Sequence, residues 1–427
     1  MTRRFAVVGG GVSGIAAAHY LRAAGIDAEI LEQSDRIGGR VGSCRLGDRW
    51  LDVGGKNIGR RYRRFRAFTA SLGDNPYEYF GINSSQVRDG KIVTFDSKRR
   101  WSSMLDMVRH CSKRDLFRFA RMVLAIRRDE ANGVLGSPYF DRLGERFDDR
   151  PARSYFGEEF CRRIIRPMTV RMNGAEPDEV YLGNLGSNIK MVLDSYDQLT
   201  LGMKRVLEQF SATANVRLGA PVTSVAPSGD KVAVCVGGAE QLYDGVIIAT
   251  TAALTSRIVA HASPSLSALL ARVRYFPVAL VLAKYKRPIF TPAMRAIVFG
   301  EEEPISNAGS YGVDDLDIVR YTFSGRAARP FLDGNTSTEA LLDLAEERLN
   351  RYVPVTRADR ETFTGQRFTH GLCAYTDHIG RFRAALHQEL RNLPGIHLAG
   401  DYLRGASIEA CFHSAEDAVG VVSGNLT

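Results

Sequence analysis

The sequence predicts an α/β fold in which one parallel sheet is assembled from three separate segments of the chain, with a second, α+β domain inserted between them. The apolar run from Phe5 to Val8 is typical of a buried strand and leads into a glycine loop at residues 9–14. A helix from Ile15 to Ala24 and a strand from Ala28 to Leu31 complete a βαβ unit of the usual length. Because other α/β elements return near the C-terminus, we expect both ends of the chain to share one domain.

Apolar periodicity predicts the remaining elements. Residues 101–190 are predicted to be mainly helical, because apolar side chains recur there at helical spacing. An alternating pattern predicts a strand at 231–236, and a continuous apolar run predicts a buried strand at 242–249. Further strands are predicted at 278–284, 297–299, 318–323 and 396–399, and helices at 340–352 and 408–422.

Composition is that of an ordinary globular protein. The 427 residues are 44% apolar and 25% charged. No stretch reaches the roughly 18 to 20 apolar residues of a membrane span, and we expect no signal peptide before the first strand. The six cysteines show no paired spacing, which argues against a zinc site or a disulfide framework. We therefore expect a cytoplasmic protein that binds no metal.

The net charge of +9 is concentrated in two basic segments. One holds the arginines at positions 60, 61, 63, 64 and 66, and the other spans residues 98–128. Solvated helix faces are the simplest interpretation; a steering field for an anionic substrate and a weak, peripheral membrane patch stay open. No recognisable nucleic-acid module accompanies the charge, so we expect no nucleic-acid partner.

The glycine loop has the spacing of a dinucleotide-binding site. Gly9, Gly11 and Gly14 form G-x-G-x-x-G directly after a strand and before a helix. Gly9 permits the tight turn, Gly11 lets the backbone approach a pyrophosphate, and Gly14 lets the helix pack closely on the strand. Val12 and Ser13 lie at the start of the helix, whose free N–H groups favour phosphate binding.

Two further groups extend the predicted site. Glu32, followed by Gln33, ends the second strand, where an acidic side chain accepts hydrogen bonds from ribose hydroxyls. A second glycine pair, Gly38 and Gly39, directly precedes Arg40, which could pair with phosphate in forked geometry. A third glycine pair stands at 54–55.

The run 31–40 resembles the superfamily of flavin-containing amine oxidases, protoporphyrinogen oxidases and phytoene desaturases. Residues 395–402 resemble the final FAD strand of that superfamily, in which the acidic residue, here Asp401 after Gly400, contacts the ribityl-pyrophosphate region. Ser407 and Ile408 correspond to the turn beneath the flavin. The remaining positions that the resemblance assigns to FAD are Gly54, Gly55 and, at the adenine, Val222.

The resemblance implies FAD as cofactor and a Rossmann-like FAD-binding domain of the GR2 type, with an inserted α+β substrate-binding domain. The FAD-binding domain is predicted from residues 1–85, 200–265 and 386–427. The substrate-binding domain is predicted from residues 86–199 and 266–385.

Two departures weaken an amine oxidase interpretation. Leu280 stands where the resemblance places an active-site lysine, and Arg404 and Ser407 stand where amine oxidases place two aromatic side chains. The runs 166–168 and 374–380 instead resemble the protoporphyrinogen oxidase and desaturase branches. We therefore favour an FAD-dependent oxidoreductase that oxidises or desaturates a small, largely apolar or partly anionic molecule by hydride transfer to flavin N5, with dioxygen or another acceptor.

Three alternatives stay open: a flavin amine or amino-acid oxidase, a redox-neutral flavin isomerase or mutase, and a non-catalytic FAD-binding protein. The candidate catalytic residues are Lys56, which follows the third glycine pair, His378 as a base, and Arg404 as a ligand of a substrate carboxylate. A loop cap, a structural histidine and a surface ion pair are their respective structural alternatives. Cys373 lies where some amine oxidases tether flavin, although a buried free thiol is the commoner case.

Overall fold

The computed structural model describes residues 3–81, 83–88, 91–96 and 110–424. Its strands form one parallel sheet, one mixed sheet and smaller antiparallel sheets. In chain order they are β1 (Arg4–Val8), β2 (Asp27–Leu31), β3 (Ser43–Leu46), β4 (Arg49–Asp52), β5 (Ile58–Gly59), β6 (Tyr77–Tyr79), β7 (Asn83–Arg88), β8 (Lys91–Asp96), β9 (Tyr196–Leu199), β10 (Asn215–Arg217), β11 (Val222–Ser228), β12 (Lys231–Val236), β13 (Ala239–Tyr243), β14 (Gly245–Ile248), β15 (Arg274–Tyr285), β16 (Ala296–Val298), β17 (Asn307–Ser310), β18 (Ile318–Phe323), β19 (Arg360–Tyr375) and β20 (Ile396–Leu398).

Several helices begin at a serine or threonine whose side-chain oxygen accepts a hydrogen bond from the first turn, for example Ser112, Thr251 and Ser337. Short 3-10 turns lie at Glu130–Gly133, Leu182–Asn184, Arg326–Phe331 and Arg357–Asp359, and a π-helical turn lies at Cys161–Ile165. The α-helices are α1 (Val12–Ala23), α2 (Arg63–Ser71), α3 (Lys113–Arg128), α4 (Pro138–Phe147), α5 (Ala152–Tyr155), α6 (Glu158–Phe160), α7 (Arg166–Asn173), α8 (Leu185–Val192), α9 (Gly202–Ser211), α10 (Ala252–Val259), α11 (Pro264–Ala271), α12 (Thr338–Asn350), α13 (Ile379–Arg391), α14 (Asp401–Arg404) and α15 (Ile408–Val422).

The five-stranded parallel sheet has the order β10–β2–β1–β14–β20. Its inner strands are buried and nearly all apolar, as parallel strands covered on both faces require. β20, from the C-terminal part of the chain, pairs with β14, which in turn pairs with β1. Strands from both ends of the described chain therefore lie in one sheet, as the sequence predicts.

Helices α1 and α15 pack against each other on one face of this sheet. The small side chains of Ala16 and Ala17 lie in the same buried cluster as Phe412 and Ala415, and small residues allow the two helix backbones to approach closely. The N-terminal turns of both helices consequently lie near the glycine loop.

The seven-stranded sheet has the order β19–β15–β18–β17–β16–β7–β8. Helix α12 covers one of its faces, where Leu341 and Leu342 pack with Val281 and Tyr321. Because successive strand residues point to opposite faces, Leu280 and Arg320 stand on the other face. That second face is directed toward the glycine pair 54–55, since Arg320 is hydrogen-bonded there.

Two expectations about the chain are refined by the structure. The continuous strand predicted at 242–249 is divided at Asp244, because β13 pairs antiparallel with β12 while β14 pairs parallel with β1. Two stretches lie outside the described residues: positions 101–109 of the predicted helical region and positions 98–109 of the second basic segment.

The first basic segment is largely neutralised by ion pairs, such as Arg60 and Arg66 with Asp197 and Arg64 with Glu416.

Candidate active site

The glycine loop lies where β1 ends and α1 begins. Gly9 N donates a hydrogen bond to Leu31 O at 2.9 Å, which ties the loop to the end of β2. A Cβ placed on Gly14 would lie 1.8 Å from Gly9 O, whereas a Cβ placed on Gly11 would meet no atom within 4 Å. Gly14 is thus required by packing inside the fold, while the space beside Gly11 is open to a ligand. Gly39 closes one side of this space, since its Cβ would lie 3.3 Å from Gly11 Cα.

The carboxylate of Glu32 is buried at the end of β2. Its Oε2 accepts a hydrogen bond from Gly10 N at 2.6 Å, and its Oε1 accepts from Ser34 N at 2.9 Å and from Ser34 Oγ at 2.6 Å. Ala220 N donates to Glu32 O at 2.8 Å, which places the start of β11, at Val222, beside the same strand end. An acidic side chain is therefore held rigidly next to the glycine loop.

Arg40 and Asp401 join the two ends of the chain at this site. Arg40 Nη1 lies 2.6 Å from Asp401 Oδ2, and Asp401 Oδ1 accepts a hydrogen bond from Tyr275 OH at 2.7 Å. Among the described residues, the Nε and Nη2 atoms of Arg40 have no hydrogen-bond partner. The guanidinium therefore keeps donors for a phosphate, as its predicted forked geometry requires.

The third glycine pair packs between these groups and the final turn. A Cβ on Gly54 would lie 1.8 Å from Arg40 O, and a Cβ on Gly55 would lie 3.4 Å from Ile408 Cδ1. Ser407 begins α15, and its Oγ accepts a hydrogen bond from the first turn of that helix. The loop, both later glycine pairs and the C-terminal turn are thus contiguous.

The N-terminal turns of α1 and α15 meet at this point. Val12 and Ser13 lie in the first turn of α1, and Ser13 lies close to the buried thiol of Cys411 in α15. Unpaired N–H groups give each helix start a partial positive charge. Together with Arg40 they suit an anionic ligand, and with Glu32 and the open space at Gly11 the donor set fits an extended dinucleotide such as FAD.

One family matches residues 12–423, nearly the whole chain: the flavin-containing amine oxidoreductases. The chain belongs to this family. Flavin is the cofactor for which that family is named, and the superfamily resemblance carried by the two ends of the chain is confirmed.

Individual relatives agree with the family. A flavin-dependent L-tryptophan oxidase of Lentzea aerocolonigenes is 36% identical over 123 residues, which cover 25% of this chain and 26% of that protein. The chain matches 15% and 16% of the length of two other curated relatives.

Solved structures resemble the whole chain. A putrescine oxidase superposes with a TM-score of 0.78 at 17% identity and covers 99% of each chain. A candidate protoporphyrinogen oxidase from Exiguobacterium sp. 255-15 superposes with a TM-score of 0.75 at 17% identity and covers 100% of this chain and 99% of its own. At such low identity these likenesses show the fold alone, which is the mixed α/β fold of the flavin amine oxidases.

Lys56, a basic residue, directly follows the third glycine pair. Lys56 is buried, and its Nζ donates to Gln198 Oε1 at 2.8 Å and to Tyr311 O at 2.6 Å. Burial lowers the pKa of Lys56 well below its usual value, and the guanidinium of Arg320 lowers it further. The folded protein therefore makes the neutral amine of Lys56 more accessible than it is in a free lysine.

Arg320 in β18 joins the mixed sheet to the glycine pair. Its Nη2 donates to Gly54 O at 2.9 Å, whereas its Nε is buried without a hydrogen-bond partner among the described residues. Burial lowers the pKa of Arg320 to about 10, with a contribution from the charge of Arg171. Arg320 stands on the same sheet face as Leu280, because it pairs with Leu282 of β15.

Arg171 in α7 is exposed to solvent, and desolvation by the surrounding protein lowers the pKa of its guanidinium. Within the described chain, Arg171 makes no hydrogen bond and no ion pair. The following turn of α7 is fixed to β19 by Asn173, whose Nδ2 donates to Cys373 O at 2.7 Å.

The geometry favours structural roles for two of the predicted catalytic residues. Arg404 Nε lies 2.5 Å from Asp417 Oδ2 in α15, so its guanidinium forms the ion pair that was the alternative to a carboxylate site. His378 Nε2 lies 3.0 Å from Asp149 Oδ1, and its left-handed backbone, with φ of 43°, begins α13. Neither side chain contacts the groups that surround Gly11.

The structure also bears on the remaining predictions, which concern Gln33, Cys373, metal binding and membrane spans. Gln33 is exposed beside Glu32. The thiol of Cys373 is buried, and burial raises its pKa well above the usual value, which disfavours the thiolate that a flavin tether needs. In the described ranges, His, Cys, Asp and Glu side chains nowhere cluster in threes suited to a metal ion. None of the helices that the structure describes is long and apolar enough to cross a membrane.

Sequence reasoning missed Arg171, Arg320 and Tyr275. Nothing in their spacing distinguishes the two arginines among the 57 lysines and arginines of the chain. Tyr275, which holds Asp401, lies in no recognisable motif. Only the folded structure, in which Arg320 donates to Gly54 O and Tyr275 donates to Asp401, shows the places of those two residues.

Proposed function

We propose that FAD binds across the glycine loop, with its ribose at Glu32, its adenine near Val222, its pyrophosphate between Gly11 and Arg40, and its flavin beside Gly55. The observation that carries this proposal is the convergence of three sequence-distant groups, the loop, Arg40 and Asp401, around one open space. The residues proposed to contact FAD are Gly9, Gly11, Val12, Ser13, Gly14, Glu32, Gln33, Gly38, Gly39, Arg40, Gly54, Gly55, Val222, Gly400, Asp401, Ser407 and Ile408.

The domain division follows the same proposal. Segments 1–85, 200–265 and 386–427 would form the FAD-binding domain, because the parallel sheet draws its strands from them. Segments 86–199 and 266–385 would form the substrate-binding domain. Arg320 lies in one of these inserted segments and donates to Gly54 O, which supports the assignment.

The proposed reaction is oxidation of a carbon–hydrogen bond in a small molecule. When bound, FAD takes a hydride at flavin N5, and the two electrons pass on to dioxygen or another acceptor. The substrate also loses a proton, so that a double bond remains in the product. Lys56 is the predicted catalytic residue that lies next to the proposed flavin position, and its lowered pKa makes the neutral amine, which can accept that proton, more accessible than in a free lysine.

A flavin amine or amino-acid oxidase is the second candidate, and the similarity to an L-tryptophan oxidase favours it. A redox-neutral flavin isomerase or mutase and a non-catalytic FAD-binding protein are weaker alternatives. The six free cysteines suit a cytoplasmic location, which we propose for the protein.

The test is the colour and the chemistry of the purified protein. We expect a yellow protein whose FAD is released by acid precipitation, because the buried thiol of Cys373 disfavours a covalent tether. Mixing with a substrate in the absence of air should bleach the flavin. A colourless protein that cannot be loaded with FAD contradicts the proposal; ammonia release would select the amine oxidase, and turnover without an electron acceptor the isomerase.

A further inference from the structure

Tyr275 lies against all three segments that are proposed to form the FAD-binding domain, although it belongs to none of them. It stands near the start of β15, in the inserted domain. Its hydroxyl donates to Asp401 Oδ1 at 2.7 Å and accepts a hydrogen bond from Ala252 N at 3.2 Å. Its ring centre lies 5.8 Å from the guanidinium carbon of Arg40. One side chain of the inserted domain thus meets a residue from each of the three segments.

The two hydrogen bonds fix the direction of the Tyr275 proton. Ala252 is the first residue of α10, and its N–H is one of the donors that a helix leaves without an internal partner. Because the hydroxyl oxygen of Tyr275 accepts from this N–H, its own proton is directed to the carboxylate of Asp401. That carboxylate is buried, and its Oδ2 accepts a hydrogen bond from Arg40 Nη1 at 2.6 Å. A chain of hydrogen bonds therefore runs from α10 through Tyr275 and Asp401 to Arg40.

This chain of hydrogen bonds ends at a guanidinium that has donors to spare. Nη1 of Arg40 also donates to Gly371 O at 3.3 Å, in the strand β19 that pairs with β15. Nε and Nη2 of Arg40 meet no acceptor in the part of the chain that the structure describes. The Arg40 side chain is 34% exposed, whereas that of Asp401 is 3% exposed. The guanidinium is thus held through one nitrogen and presents its other N–H groups to the open side, where the FAD pyrophosphate is proposed to lie.

We propose that Tyr275 is a positioning residue for FAD: it fixes Asp401 and, through it, the direction of Arg40, so that the inserted domain takes part in retaining the cofactor. This inference rests on the proposed function, since it takes the pyrophosphate of FAD as the ligand of Arg40. The hydroxyl of Tyr275 is the one donor to Asp401 Oδ1 in the described chain. Without it, the buried carboxylate turns away or draws the guanidinium toward itself. A forked contact to phosphate requires a fixed guanidinium plane and is weakened by either movement.

The first experiment compares two tyrosines of the same strand. Tyr275→Phe removes one hydroxyl. The matched control, Tyr285→Phe, removes a hydroxyl that donates to the buried carboxylate of Glu346 at 2.8 Å, away from Arg40. FAD-loaded protein is diluted, and the fluorescence of the released FAD gives its dissociation constant.

We expect Tyr275→Phe to raise the dissociation constant of FAD about 10-fold, the effect of one lost hydrogen bond to a charged group. Tyr285→Phe should lower the melting temperature and leave that constant unchanged. An unchanged constant in Tyr275→Phe, or an equal rise in Tyr285→Phe, overturns the inference.

The second experiment asks whether Tyr275 acts through Arg40. Tyr275→Phe is combined with Arg40→Lys, which keeps a cation but loses the planar fork. If the tyrosine orients the guanidinium, its removal from the Arg40→Lys protein should change the dissociation constant of FAD by less than about 2-fold. Two independent effects that multiply would mean that Tyr275 supports the fold around FAD without positioning Arg40, and would contradict the inference.

A further variant reaches the same hydroxyl from α10. Ala252→Pro removes the N–H that Tyr275 accepts, at the first position of a helix, where proline is well tolerated. It should raise the dissociation constant of FAD in the same direction as Tyr275→Phe, so the inference can be tested even if that protein does not fold. An unchanged constant in Ala252→Pro contradicts it.

The inference and the proposed function fail on different outcomes. A wild-type protein that cannot be loaded with FAD contradicts the proposed function. A wild-type protein that holds FAD, beside a Tyr275→Phe protein that holds it equally well, leaves the proposed function intact and contradicts only the role of Tyr275.

Discussion

The glycine loop and the two basic residues beside Gly54, Lys56 and Arg320, are built in opposite ways. The loop uses backbone atoms of consecutive residues, and its open space depends on the missing side chain of Gly11. The two basic residues use long side chains from β18 and the segment after β4, and Arg320 reaches Gly54 O only in the folded protein. The comparison teaches that the glycine loop is defined by local geometry, whereas the surroundings of Lys56 and Arg320 are defined by burial.

The largest effect is expected from a side chain that fills the space beside Gly11. Gly11→Val should abolish FAD retention in a folded protein, because the branched side chain would occupy the open space while clashing with nothing in the fold. The measurement is flavin absorbance per chain, with circular dichroism for the fold. Gly300→Val is the matched control, since a Cβ there also meets no atom within 4 Å. Normal flavin content in Gly11→Val would show that the loop has been misassigned.

The next change separates ligand space from fold within the same loop. Gly14→Ala should reduce the free energy of unfolding by about 3 kcal/mol, because its Cβ would lie 1.8 Å from Gly9 O. Gly11→Ala, in contrast, should unfold like the wild type. Denaturant titration of both variants decides the matter, and equal stability of the two would remove the distinction between the two glycines.

The third change tests the desolvation of the Lys56 amine. In the folded protein Lys56 stays neutral at pH values where the unfolded lysine, with an ordinary pKa of 10.5, is protonated. The unfolded state then binds more protons, so wild-type stability falls as the pH decreases below that value. Lys56→Met should gain stability relative to the wild type by up to ~1.4 kcal/mol per pH unit between pH 10 and the lowered pKa.

Denaturant titrations from pH 10 to pH 7 measure this slope. Lys286→Met, at an exposed lysine, is the control and should follow the wild type across the range. A constant difference in stability between Lys56→Met and the wild type would mean that Lys56 is charged in its pocket.

The smallest effect is expected at Arg404. Because its ion pair with Asp417 is partly exposed, Arg404→Ala should cost at most about 1 kcal/mol of stability. Flavin content and the apparent substrate constant should not change. A tenfold rise in that constant would instead show that Arg404 holds a substrate carboxylate.

The sequence was sufficient where structure follows from local pattern. The βαβ unit, the strand at 318–323 and the helix at 408–422 could be predicted, because apolar periodicity and glycine spacing act over a few residues. The division at Asp244 was missed, since a continuous apolar run does not reveal that the chain changes sheets. Arg320 was also missed, because an arginine that donates to a backbone carbonyl inside the fold and a surface arginine look alike until their surroundings are known.

The arrangement of the parallel sheet also bears on how the protein is made. Arg40 and Asp401 are 361 residues apart in the chain, and β20 covers an edge of β14 that is otherwise open. During synthesis on the ribosome, β14 must therefore wait until β20 has been made before this neighbour arrives. The uncovered strand edge is a site of aggregation until then.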